Sequence, residues 1–374
     1  MDIMWEIISR LPVSSLLRFK LVCKTWYAWI TDPRFISKHL HHYNSNKHHI
    51  IIKSFTTPIN TDYITLYTDE TSRRLVSLHA PFLVSKHTPV GSCNGLICLF
   101  RSCRYGSPIC PWNPATREFR ILPNYRQATR RSIWRSHTLG FGFDPASGDY
   151  KVVVRFWRQS SPLMILPFEF WCMVTRYRIS TSMPVITEGI LHWVAQYFSS
   201  PTECFAVVVY FDLRDEKFGQ ISMPNLDESV SYMRLIEFKG CLSLCAETSD
   251  LRPDKGDIQF NIWMKDKLDD SWTKKLSIGP SPTFPIPIGN YGNSLVVMET
   301  DGGHHKLFLH DPHAHEQRRK LPIPDVSYVC WYEIFSYMES LVPIKRRYKE
   351  EMEMIQKQIS DGSIDSIIAG MELL

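Results

Sequence analysis

The feature that most constrains this chain is a recurrence. Gly189, Gly240 and Gly292 stand 51 and 52 residues apart, and each opens a hydrophobic run, in EGILHWVAQYF, FKGCLSLCAE and YGNSLVVMET. Gly95, in GSCNGLICLF, precedes Gly189 by 94 residues, about two such periods, with LGFGFDPASGDYKVVVRF (139–156) filling the interval. In the longer copies a second apolar run ends in Asn-Pro, Asp-Leu or Asp-Pro. A few charged residues and then a Leu-Pro or Met-Pro follow, as in PWNPATREFRILP, VVVYFDLRDEKFGQISMP and KLFLHDPHAHEQRRKLPIP. A unit of two or three short strands cannot cover its own apolar faces, so such units must stack on one another. About 300 residues at about 50 per unit predict an all-β propeller of about six blades. A large antiparallel β-sandwich built of similar hairpins is the alternative.

The period is kelch-like, but it does not reach the start of the chain. In MDIMWEIISRLP, Ile3, Ile7, Ile8 and Leu11 recur at helical spacing until Pro12 stops the pattern. Ser14 or Ser15 is placed to cap a second helix carrying Leu16, Leu17, Leu21, Val22, Trp26 and Ile30. Asp32-Pro33 starts a third through Phe35, Ile36 and Leu40. Three helices in about 40 residues bury little by themselves, so this all-α head is expected to need a partner. IIIKSF, DYITLYTDE and RRLVSLHAPF then read as strands. The expected organisation is a helical head over 1–42, a β-repeat domain over 43–343 and a tail over 344–374. In the tail, IKRRYKEEMEMIQKQI has helical propensity and reads as a surface helix, with Lys345-Arg346-Arg347 as a basic triplet.

Composition narrows the function. Apolar residues make up 44% and charged residues 22%, a globular balance. The net charge of +5 is spread along the chain, whereas a nucleic-acid binder concentrates it on one face. The longest strongly apolar run, CFAVVVYF, is too short to span a membrane. Ten irregularly spaced cysteines fit a reducing cytoplasmic or nuclear setting. The expectation is therefore neither nucleic acid nor membrane as a partner, and no cofactor.

Possible chemical sites yield bland readings. His304, His305, His310, His313 and His315 form a dense group beside Asp311-Pro312 and Arg318-Arg319-Lys320, which reads as a solvated loop rather than a metal site. His39, His41, His42, His48 and His49 fall in a linker. Cys93, Cys98, Cys103 and Cys110 lack the paired spacing of a zinc module and read as buried thiols. Asp212, Asp215 and Glu216 occupy the turn position of the repeat, so a solvated turn is expected there rather than a hydrolytic carboxylate pair. Gly140-Phe141-Gly142 lacks the third glycine of a dinucleotide loop and reads as a turn. No catalytic residue is assigned, and the chain reads as a non-enzyme.

The head resembles an F-box. Ile7-Ile8-Ser9-Arg10-Leu11-Pro12-Val13, Ser15-Leu16-Leu17-Arg18-Phe19, Val22-Cys23-Lys24-Thr25-Trp26 and Asp32-Pro33-Arg34-Phe35 follow that family's pattern almost continuously. The remainder resembles the F-box-associated region of a large plant family. The residues that carry this are Gly91-Ser92-Cys93-Asn94-Gly95-Leu96, Trp112-Asn113-Pro114-Ala115-Thr116-Arg117, Gly140-Phe141-Gly142-Phe143-Asp144, Asp149-Tyr150-Lys151-Val152-Val153 and the closing Tyr337-Met338-Glu339-Ser340-Leu341-Val342.

The resemblance implies the substrate-recognition subunit of a cullin-based, SCF-type ubiquitin ligase. The F-box would dock a Skp-type adaptor, and through it a cullin, while the β-domain holds a target protein. Adaptor contacts are expected among Ile3, Ile7, Ile8, Leu11, Pro12, Val13, Leu16, Leu17, Val22, Cys23 and Trp26, roughly half of which must instead build the head's own core. Target contacts are expected at Arg130, Arg131, Trp134, Arg135, Trp157 and Arg158, residue types that dominate interface hot spots. The family's F-box normally opens on a Leu-Pro shortly before the stretch matching Asp2-Ile3-Met4, and that Leu-Pro is an adaptor contact. The sequence starts after it, so the F-box reads as N-terminally truncated, with either upstream residues or a weakened F-box. A scaffold with a degenerate F-box is the first alternative, and a propeller enzyme or sugar-binding module the second.

Overall fold

The computed structural model describes residues 2–44, 49–56, 61–68, 74–77, 88–100, 109–122, 137–156, 170–174, 177–179, 184–198, 204–226, 230, 232–249, 258–267, 269–281, 285–292, 294–301, 304–311, 318–321 and 329–344. The expected tail helix from Lys345 onward lies outside them.

The head holds four helices rather than three: α1 (Asp2–Ile8), α2 (Val13–Phe19), α3 (Lys24–Thr31) and α4 (Pro33–Asn44). The expected second helix divides because the chain tightens after Phe19. Leu21 N–H donates to the Arg18 carbonyl and Val22 N–H to that of Phe19, both three residues back. Cys23 then turns extended and its Sγ accepts from Trp26 N–H at 3.5 Å, which caps a new helix. Neither Ser14 nor Ser15 caps α2. Pro12 is its N-cap, with no side-chain bond. Asp32 performs as expected, its Oδ1 accepting from Arg34 N–H at 2.8 Å before Pro33 opens α4. No helix among the described residues is long and apolar enough to cross a membrane.

The head's core is Ile8, Val13, Leu16, Ile30 and Phe35, joined by Leu341 from the other end of the chain. Trp5 meets Phe35 edge-on with ring centroids 5.3 Å apart. His39 Nε2 lies 2.9 Å from the Leu11 carbonyl, and Glu6 bonds Arg10, Lys38 and His42, so α4 is tied to both α1 and the turn after it.

The described strands form six small sheets, not the two broad faces of a sandwich. In one, the last described strand, Val329–Tyr337, lies beside His49–Thr56, followed by Thr61–Thr68 and Arg74–Ser77. Three sheets run in chain order: Thr88–Cys93 to Glu118–Phe119, Met233–Phe238 to Trp272–Ser281, and Ile286–Tyr291 to Arg318–Lys320. The fifth sheet centres on the pair Ile190–Phe198 and Cys204–Asp212. In the sixth, His137–Asp144 pairs with Asp149–Phe156, which Phe170–Val174 joins in parallel. The arrangement is β-propeller-like.

Two turns repeated from sheet to sheet account for the recurrence in the sequence. At Asn94-Gly95, Glu188-Gly189 and Lys239-Gly240 both residues have positive φ, the two-residue hairpin loop whose twist matches its strands. The second turn starts with an Asx cap. Asn113 Oδ1 accepts from Ala115 and Thr116 N–H, Asp144 Oδ1 from Ala146, and Asp212 Oδ1 from Arg214 and Asp215, at 2.8–3.3 Å. Each turn ends on a left-handed residue: Arg117, Gly148 or Glu216.

Gly140-Phe141-Gly142 departs from expectation, since it is the middle of a strand. A Cβ on Gly140 would stand 2.7 Å from Leu191 Cδ1, and one on Gly142 would stand 2.5 Å from Ile186 and Leu213. These glycines are small so that the neighbouring sheet can pack closely, onto a cluster of Val153, Leu191, Trp193, Phe211 and Leu213.

By its contacts the chain divides into two compact units. One comprises 1–53, 60–130 and 335–374, and the other 54–59 and 131–334. The head, the Thr88–Phe119 sheet and the C-terminal segment therefore share a unit.

Candidate docking surface

The candidate docking surface is built by what the head leaves outside its core. On α1, Ile8 turns inward while Ile3 and Ile7, one helical turn apart, are 77% and 53% exposed, with Met4 beside them. The turn that divides α2 from α3 exposes Leu21 at 87% and Val22 at 63%, and Tyr27 stands out from the first turn of α3. Among the described residues seven large apolar side chains are exposed, and six lie within residues 3–27; the seventh is Phe205. Apolar area at that density on one small module marks a binding surface.

The structure sorts the expected adaptor contacts. Ile3, Ile7, Val22 and Cys23 are exposed. Leu11, Pro12, Leu17 and Trp26 are half-buried, Trp26 against Phe19 with ring centroids 4.8 Å apart. Ile8, Val13 and Leu16, at 2%, 1% and 0% exposure, belong to the core and offer no surface. They face the interior because α1 and α2 close on Ile30 and Phe35 from opposite sides of the Pro12 turn. Met4, Leu21 and Tyr27 were not anticipated. Leu21 read as part of a helical stripe, and only the break after Phe19 brings it out. The expected target contacts Arg130, Arg131, Trp134, Arg135, Trp157 and Arg158 lie outside the described residues.

The titratable clusters take structural roles. His304, His305 and His310 stand on a strand, His304–His310, rather than in a loop; His313 and His315 lie outside the described residues. Among the described residues no three His, Cys, Asp or Glu are grouped to hold a metal. Cys98 and Cys110 are buried on neighbouring strands, and burial pushes the Cys98 thiol far above its usual pKa. Glu216 is more than a solvated turn residue. Lys151 Nζ donates to it at 2.7 Å, to Asp144 Oδ2 at 2.9 Å and to the Leu213 carbonyl at 2.6 Å, linking two Asx turns through a buried charge. The Ser147 hydroxyl, the lysine and the Ala146 N–H together hold Asp144 at about 2 against the cost of its burial. The geometry of that cluster is that of a structural tie between the two turns.

Residues 1–38 match the F-box domain family, and residues 40–300 match the family described as F-box associated beta propeller domain. The chain is similar to an F-box/kelch-repeat protein of Arabidopsis thaliana, 25% identical over 81% of this chain and 85% of that one. It is also similar to two further Arabidopsis thaliana proteins. A putative F-box protein is 25% identical over 87% of this chain and 93% of its own length, and an F-box protein is 30% identical over 61% and 58%.

Proposed function

Because the chain belongs to the plant F-box proteins that carry an F-box associated β-propeller domain, we propose that it is the substrate-recognition subunit of an SCF-type cullin-based ubiquitin ligase. The head docks a Skp-type adaptor through Ile3, Ile7, Leu21, Val22 and Tyr27. The β-domain, whose six sheets we take as the blades of one propeller, holds the target in the cytoplasm or nucleus. Catalysis of ubiquitin transfer belongs to other subunits. The observation that carries this reading is the concentration of exposed apolar side chains on the head.

The test is co-purification with a Skp-type adaptor and a cullin, followed by affinity measurement for the chain with Ile7→Asp and Val22→Asp. Both positions are exposed, so the variants keep the fold while placing charge in the interface, and each is expected to weaken adaptor binding about tenfold or more. Leu16 is unsuited to this test because its loss would open the head's core. Failure of the unaltered chain to bind any Skp-type adaptor would overturn the proposal and leave a scaffold with a degenerate F-box.

A further inference from the structure

The head's core is not completed by the head. Of its six buried members, Leu341 is supplied by the segment that follows the last strand, and it is 2% exposed. That segment is anchored on the Thr88–Phe119 sheet. Asn113 Nδ2 donates to the Ser340 carbonyl at 3.1 Å and to that of Val342 at 2.9 Å, while its Oδ1 holds the turn to Ala115 and Thr116. Ile344 N–H donates to Glu118 Oε2 at 2.9 Å. Ser340, 1% exposed, fills the space that a side chain at Gly95 would need. On the other side, Ala115 packs against the head's core, and Lys20, half-buried at the end of α2, lies in the field of Glu118. The segment is thus a strap, with one edge bonded to the 113–118 turn of a β-sheet and packed on the Asn94-Gly95 turn, and one side chain inserted among the helices.

We infer that residues 338–344 are part of the docking module, and that the head reaches its docking-competent form only once the strand Val329–Tyr337 is in place. Helices of seven, seven, eight and twelve residues are marginal alone and depend on shared packing. Five inward side chains from the head make a small core, and Leu341 enlarges it while fixing it to the sheet. Val329–Tyr337, which leads directly into the strap, is also the strand that lies beside His49–Thr56. The docking consequence, which rests on the proposed function, is that a chain with an unfinished β-domain presents a loosened head. Adaptor binding then selects receptors whose β-domain is complete.

The full chain with Leu341→Asp, Leu341→Ala or Leu341→Met tests this, with hydrogen exchange and adaptor affinity measured on each. Leu341→Asp is expected to speed amide exchange across α2, α3 and α4 about 30-fold or more, while Met233–Ser281 keeps its protection. Leu341→Ala acts in the same direction if the aspartate prevents folding, Leu341→Met restores protection, and adaptor affinity falls with head protection. Unchanged head exchange in both the aspartate and alanine variants overturns the inference. So does undiminished adaptor affinity in a chain whose head exchange has risen. If the unaltered chain binds no adaptor but Leu341→Asp still loosens the head, the strap stands and the ligase reading fails.

Discussion

Lys151 carries an ammonium into the interior of a β-domain, against a burial cost that the carboxylates of Asp144 and Glu216 outweigh, so its pKa is raised. Removing one partner of such a cluster leaves the others buried without compensation. Lys151→Met is therefore expected to cost about 3 kcal/mol in urea unfolding, more than Glu216→Gln at the cluster's half-exposed rim. His192 behaves oppositely. It is 5% exposed, its Nδ1 faces the Val185 carbonyl at 3.3 Å, and burial lowers its pKa to about 4. The unfolded chain takes up that proton near 6.5. Between about 6.5 and about 4 the unfolded state binds more protons, so stability falls as pH drops, by up to about 1.4 kcal/mol per unit. Urea midpoints from pH 7.5 to 4.5 should therefore fall more steeply for the unaltered chain than for His192→Gln. Asp144, held at about 2, adds its own loss only at lower pH.

At the scale of elements, one turn recurs in different settings. Gly95 and Gly240 both close two-residue hairpins, at φ +80° and +73°. Gly240 has open space where a Cβ would stand, so Gly240→Ala pays only the left-handed penalty of about 1 kcal/mol. A Cβ on Gly95 would run into the Ser340 side chain and come within 2.7 Å of the Met338 carbonyl. Gly95→Ala should cost at least about 3 kcal/mol by thermal or urea unfolding and loosen the strap with it. The glycine-led strands and the Asx-started turns were legible in the sequence because both devices are local: a pair of dihedral angles, or a side chain bonding its own backbone two residues on. The break after Phe19 was not legible. An unbroken apolar stripe from Leu16 to Ile30 fits one long helix, and the Cys23 cap is read only when the chain is seen to turn there. Gly140 and Gly142 were misread for a related reason. Asp-Pro after a glycine pair suggests a turn, yet these glycines answer to Leu191, Trp193 and Ile186 on another sheet and to Leu213 in the turn beside it.

At the scale of the molecule, a helical module accompanies a set of β-sheets, and six of the seven exposed large apolar side chains among the described residues belong to the module. Ile7→Asp with Val22→Asp should leave the unfolding free energy of the chain, measured in urea, within about 0.5 kcal/mol of its original value, since neither side chain is in a core. The family pattern, the repeat period, the presence of the head and the all-β character of the described residues that follow it were determined by the sequence alone. Each depends on neighbours within a few residues or on a spacing that can be counted. Which apolar residues of the head are core and which are surface was decided by the tertiary structure. Ile7 and Ile8 are adjacent and chemically identical, and only the packing of Phe35 and Leu341 separates them. Leu341 in the head's core is the clearest case, because a contact between the two ends of a chain leaves no period and no spacing for a sequence to display.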